Sequence, residues 1–314
     1  MNVSFWKHHP VADQHGRQLA QQTIAFQHQF DFDYIKLTPA GSWLAVCYGL
    51  TDAWRGDALG RREILQPLIT KPQDWGTLAD FRTSVPRMLE EQLLAAHLTR
   101  AAFPHQPVYA TVFSPVSQAI QLAGVEQFIR HWLDFPEFVS VGLAKLADNL
   151  CFVLEEFSRQ SIQELYYVIQ HARPDGLPPA LHGPLSELTD QPCLLEASRL
   201  FQDVIIHLHG QDVYNPLRVV TPKARFHYGT TTQEGGASVN LPTRQAHLPG
   251  LSTNLLAACQ DGDQAHQVLR RYYSPAPAGG AGHLMAECVL PLSFPDYQIN
   301  VWKQAARLPG LLLP

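Results

Sequence analysis

Two spacings of apolar residues interleave along this chain. Short runs rich in β-branched, aliphatic and aromatic residues lie at 3–7, 33–38, 107–113, 165–169, 204–208, 224–228, 248–253 and 284–289. Each predicts a strand, PVYATVF at 107–113 most plainly. Between them, apolar residues return every three or four positions, as on one face of a helix. Helices are predicted over 13–29, 86–103, 194–201, 264–273 and 297–308. Another opens at Pro115, with Leu122, Val125, Ile129 and Trp132 on one face. A longer one opens at Pro136 and places Val139, Leu143, Leu146, Leu150, Val153 and Phe157 together. Proline suits the first turn, where its missing N–H costs nothing. The stretch 42–85 carries mixed signals and reads as an insertion or long βα loop.

Eight strands alternating with helices predict an α/β protein, a single (β/α)8 TIM-type barrel over residues 1–314. An open, doubly wound sheet is the competing arrangement. No glycine-rich dinucleotide fingerprint follows the first strand, which counts against it. Neither an internal repeat nor a low-complexity segment is visible.

Composition narrows the function. Hydrophobic residues make up 46%, enough for a sizeable core. No apolar run is long enough to predict a membrane span. The start, MNVSFWKHH, lacks the pattern of a signal peptide, so a cytoplasmic location is expected. A net charge of −5 with scattered Lys and Arg argues against nucleic acid or an anionic membrane, leaving a small-molecule substrate. The five cysteines form no CxxC pair and suggest no disulfide framework, leaving most as buried thiols.

The segment VIIHLHG at 204–210 carries the most chemistry. Side chains alternate along a strand, so Ile205, His207 and His209 share a face. Two imidazoles at i and i+2, at the end of a strand where barrel active sites form, can converge on one metal ion. The plainer alternative is one core histidine and one loop histidine. Cys288 ends the last strand, which opens onto the same mouth. His207, His209 and Cys288 would make an N2S set with an open fourth position, the pattern of catalytic zinc. A lone cysteine is otherwise usually a small buried apolar residue.

The span GHLMAECVLPLSFPDYQINVW at 282–302 resembles the C-terminal signature of the uroporphyrinogen decarboxylase superfamily. DFDYIKLTP at 31–39 is similar to that family's second strand, and Phe113-Ser114-Pro115 to its third strand and following helix. The shared order and spacing carry the resemblance. Its true decarboxylases use arginines after the first strand, an Asp after the second, a Tyr after the third and a His after the last. Here Lys7-His8-His9-Pro10 holds no Arg, the Asp falls near 34–36, the Tyr near Gln121 and the His on Cys288. The other branch, the corrinoid-linked methyltransferases, binds zinc through His-x-Cys-Gly and a distant Cys. His207-Leu208-His209-Gly210 matches that motif with His for the first Cys, and Cys288 matches the distant one. An N2S site is less electron-rich than NS2 and activates a thiol less strongly.

The resemblance implies a zinc-dependent enzyme moving a methyl group to a thiol, with a corrinoid on a partner protein as donor. A carboxy-lyase acting on a porphyrinogen or smaller carboxylate, and a catalytically silent binding barrel, are the alternatives. His8, His9, Gln170 and His171 also follow strands and are weaker substrate-contact candidates. Glu287 should point away from Cys288 and could at most support a ligand by hydrogen bonding.

Overall fold

The computed structural model describes residues 1–217, 223–229, 246–272 and 282–308. Each of the eight apolar runs overlaps a strand: β1 (Asn2–Val3), β2 (Ile35–Lys36), β5 (Val108–Phe113), β6 (Glu164–Ile169), β7 (Asp203–Leu208), β8 (Ala224–Gly229), β9 (His247–Gly250) and β10 (His283–Leu284). The first and last expected strands, 3–7 and 284–289, share only Val3 and Leu284 with β1 and β10. β3 (Asp52–Ala53) and β4 (Glu63–Ile64) form a small antiparallel pair between β2 and β5. Six strands build one curled parallel sheet in the order β2-β5-β6-β7-β8-β9, and β1 pairs in parallel with β10. Main-chain bonds link the two groups. Leu251, just past β9, bridges to Ala286, just past β10. At the other edge, Asp33 N–H donates to the Val3 carbonyl at 3.0 Å, and the Asp33 carboxylate accepts from Val3 N–H.

The central strands are apolar on both faces, as parallel strands covered by helices must be; all six β5 residues are buried. Pro115, Pro136 and Pro179 each start a helix, at Pro115–Ala123, Pro136–Arg159 and Pro179–Leu188. The helix expected to run on from Pro115 is two, because Gly124 (φ 81°) breaks it before Val125–Asp134. The helix at Pro179–Leu188 was not expected; Gly183 and Pro184 hide it from propensity reasoning. The strand expected over 248–253 stops at Gly250, because Ser252 caps a new helix, its hydroxyl accepting from Leu255 N–H. The helix expected over 264–273 is Gly262–Tyr272, and residue 273 lies outside the described residues.

The stretch 42–85 has its own small core. Leu50, Ile69 and fully buried Trp75 pack with Val116, Leu143 and Leu146 of the flanking helices. Trp75 Nε1–H donates to His131 Nδ1 at 3.2 Å. This segment brings Arg61 and Arg62 over the C-terminal ends of the strands. Among the described residues, no helix is long and apolar enough to cross a membrane.

Candidate metal centre

The C-terminal strand ends open into a cleft of about 780 Å³. His207, inside β7, and His209, one residue past it, both line the cleft, as alternation along the strand requires. Cys288 comes from the segment after β10 and reaches the same wall. One donor atom from each of the three lies within 4.8 Å of the others, and Cys288 Sγ is 3.3 Å from His209 Nδ1.

Their electrostatics differ. His207 is 2% exposed, and among the described residues neither ring nitrogen has a hydrogen-bond partner of normal geometry. Burial, then the neighbouring His227, His209 and Lys36, hold its pKa well below the usual imidazole range. Among the described residues only the backbone of His227 approaches the ring as a hydrogen-bonding group, and it raises the pKa less than burial lowers it. Burial also opposes charge on His209 and Cys288, but their mutual attraction outweighs it. The His209 pKa is raised and the Cys288 pKa lowered. A buried imidazole with two idle nitrogens beside a thiol inclined to ionise is a donor set that fits a borderline metal ion such as zinc.

The weaker candidates split by strand geometry. His8 and Gln170 line the cleft. His9, the next residue, turns to the Phe26 ring. His171, next to Gln170, turns inward, its Nδ1 3.1 Å from Ser117 Oγ and its ring stacked on His182. Glu287 turns to Thr253, whose N–H it accepts at 3.4 Å. His9 and His171 therefore make no contact with the cleft, since neighbouring residues point to opposite sides.

Two groups were not singled out from sequence. Lys36, at the end of β2, is 9% exposed, and its ammonium lies 4.6 Å from the Tyr166 ring centre and 5.3 Å from that of Trp6. Burial pushes its pKa down to about 7, with Cys288 pulling the other way. Among the described residues no Asp or Glu lines the cleft. Arg61 and Arg62 line it too, which scattered sequence positions concealed. They are already engaged, Arg61 with Asp57 and Arg62 with Asp52. The second group is His227, buried against His207.

No protein-family model matches the chain, and no curated protein matches it by sequence. Solved structures do match in fold. A methyltransferase from Methanosarcina mazei aligns with a TM-score of 0.72 and 15% identity, over 95% of this chain and 86% of that one. A putative vitamin-B12-independent methionine synthase from Listeria monocytogenes gives 0.53 and 12%, over 93% and 84%. A B12-independent methionine synthase from Shewanella sp. W3-18-1, in complex with selenomethionine, gives 0.51 and 10%, over 93% and 86%. At these identities the likeness establishes a shared barrel-like α/β fold, and function must be argued from the site.

Proposed function

We propose that this chain is a zinc-dependent methyltransferase of the uroporphyrinogen decarboxylase superfamily that moves a methyl group to a thiol. In this reading residues 1–314 form a single domain and an eight-stranded barrel, which the bonds between Leu251 and Ala286 and between Asp33 and Val3, beside the strand ends, support. The carrying observation is the convergence of His207, His209 and Cys288 within 4.8 Å at the mouth. The methyltransferase and methionine synthase names of the structural neighbours support the reaction class.

His207, His209 and Cys288 would hold the ion, leaving a fourth position toward the cleft. When bound, zinc supplies Lewis acidity, which favours the thiolate form of an acceptor thiol. Trp6 and Tyr166 wall the cleft with apolar surface and limit water around the reacting sulfur. Lys36, with no Asp or Glu beside it in the cleft among the described residues, would hold an acidic group of the acceptor. The methyl donor proposed is a corrinoid carried by a separate protein. Two neighbours are named B12-independent, so a corrinoid-free donor is the second arm of the assay.

The test pairs metal analysis with activity. Wild type should hold one zinc and methylate thiols, while Cys288→Ser and His207→Ala should lose both. Equal zinc in all three, or none in wild type after titration with zinc, removes the metal from the mechanism. Turnover of uroporphyrinogen would replace this reading with the carboxy-lyase one; absence of any turnover alongside tight ligand binding would favour a silent barrel.

A further inference from the structure

His227 is outside the donor triad yet packs on one member, His207, and bonds Ala286, two residues before another, Cys288. β7 and β8 pair in parallel with His207 opposite His227, so the two rings leave the sheet side by side. They stack with centroids 4.5 Å apart and planes 24° apart. Both edges of the His227 ring are occupied. Its Nε2–H donates to the Ala286 carbonyl at 3.0 Å, which leaves Nδ1 to accept from the Tyr166 hydroxyl. Ala286 stands two residues before Cys288. One neutral ring thus packs on the β7 histidine and hydrogen-bonds the segment that carries the cysteine.

Gly250 in β9 makes the room. A Cβ there would stand 2.6 Å from His227 Nε2 and 2.5 Å from the Ala286 oxygen, inside contact distance of the very atoms that bond. Meanwhile, among the described residues, His207 has no hydrogen bond of normal geometry of the kind that ordinarily fixes a ligand histidine's orientation; the His227 backbone is the one such group near its ring. The rings of His227 and Tyr166, the latter with its centroid 5.4 Å from that of His207, are what hold it.

We propose that His227 is the positioning residue of the metal centre, orienting His207 by stacking and fixing its distance from Cys288 through Ala286. Its purpose rests on the metal reading above; its geometric claim does not. The experiment compares wild type with His227→Phe, which keeps a ring but loses both edge bonds, and with Gly250→Ala, which keeps His227 but crowds its bond to Ala286. Metal-free crystal structures report the triad spacing. Competition with a chelator reports zinc affinity, and the visible spectrum of the cobalt(II)-substituted protein reports ligand geometry.

In both variants the donor atoms should spread beyond the 4.8 Å of the wild-type chain. Zinc should bind about 10–100-fold more weakly, as when an outer group that orients a ligand is lost, and the cobalt bands should shift. Wild-type spacing and zinc affinity in both variants would overturn the proposal. Should His227→Phe fail to fold, Gly250→Ala decides. If the wild type itself binds no zinc, the function above falls, while the triad spacing in the metal-free crystals still decides this inference.

Discussion

At the N-terminal ends of β5, β7, β8 and β10, inward-facing polar groups are paired to one another. At the C-terminal ends two buried groups, His207 and Lys36, are left wanting partners among the described residues. Arg225 on β8 donates to the Asp203 carboxylate on β7, to the Tyr109 hydroxyl on β5 at 3.1 Å and to His283 Nε2 on β10 at 2.8 Å. Tyr34 and Tyr109 stack edge to face over this network. Across the sheet, among the described residues, neither His207 ring nitrogen has a partner of normal geometry and no Asp or Glu lines the cleft beside Lys36. The same strands therefore serve two ends. One is satisfied internally and holds strands together; the other keeps buried polar groups unsatisfied, which costs stability and prepares a ligand site. This matches the division in barrels between a stabilising N-terminal face and a chemical C-terminal face.

The sharpest way to break the comparison is to remove a donor from the open end. Cys288→Ser and His207→Ala should weaken zinc binding by more than the roughly 100-fold seen when only an outer group is lost. Cys288→Ser, whose hydroxyl can still bond His209, should leave the denaturant stability of the metal-free protein near wild type. His207→Ala also gives up ring packing on His227 and Tyr166 and should cost about 1–3 kcal/mol. A large loss of metal-free stability would show that the open end is structural after all.

The next effect belongs to the closed end. Arg225→Ala leaves the Asp203 carboxylate without its cation, with the Tyr109 hydroxyl still donating to it, and should cost about 2–3 kcal/mol in denaturant unfolding, below the roughly 3–5 for a fully buried pair. The discount reflects the 20% and 25% exposure of the two side chains. Its zinc affinity should stay unchanged. A variant that loses zinc but not stability would reverse the assignment of the two ends.

The smallest effect runs the other way. Lys36→Met removes a buried amine without a counter-charge and should stabilise the fold by about 1–2 kcal/mol below pH 7. The sign follows from the folded pKa of about 7 against the ordinary lysine value of 10.5. Between these values the unfolded chain binds a proton that the folded chain does not, so stability rises with pH across that window. In Lys36→Met this rise should be missing from a comparison of unfolding free energies at pH 6 and pH 10. The same variant should raise KM for acidic thiols more than for neutral ones. A wild-type pH profile in the variant would show that Lys36 is paired in solution.

Local pattern was enough for much of this molecule. The strand runs and the shared face of His207 and His209 follow from alternation along a single strand, a property of the backbone alone. So did the helix starts at Pro115 and Pro136. The failures have local causes as well. Gly124 splits a helix through its positive φ, and Pro184 disguises one. His9 and His171 were grouped with neighbours that point the opposite way.

What sequence could not decide is what meets across the sheet. Cys288 lies 79 positions from His209, and only the curl of the sheet brings its sulfur within 3.3 Å of that ring. His227 gains its place from the parallel register of β7 and β8, and Lys36 its burial from Trp6 and Tyr166. Spacing along one strand is set by covalent geometry and can be read residue by residue. Spacing between strands is set by packing and register over the whole sheet, and no single segment carries it.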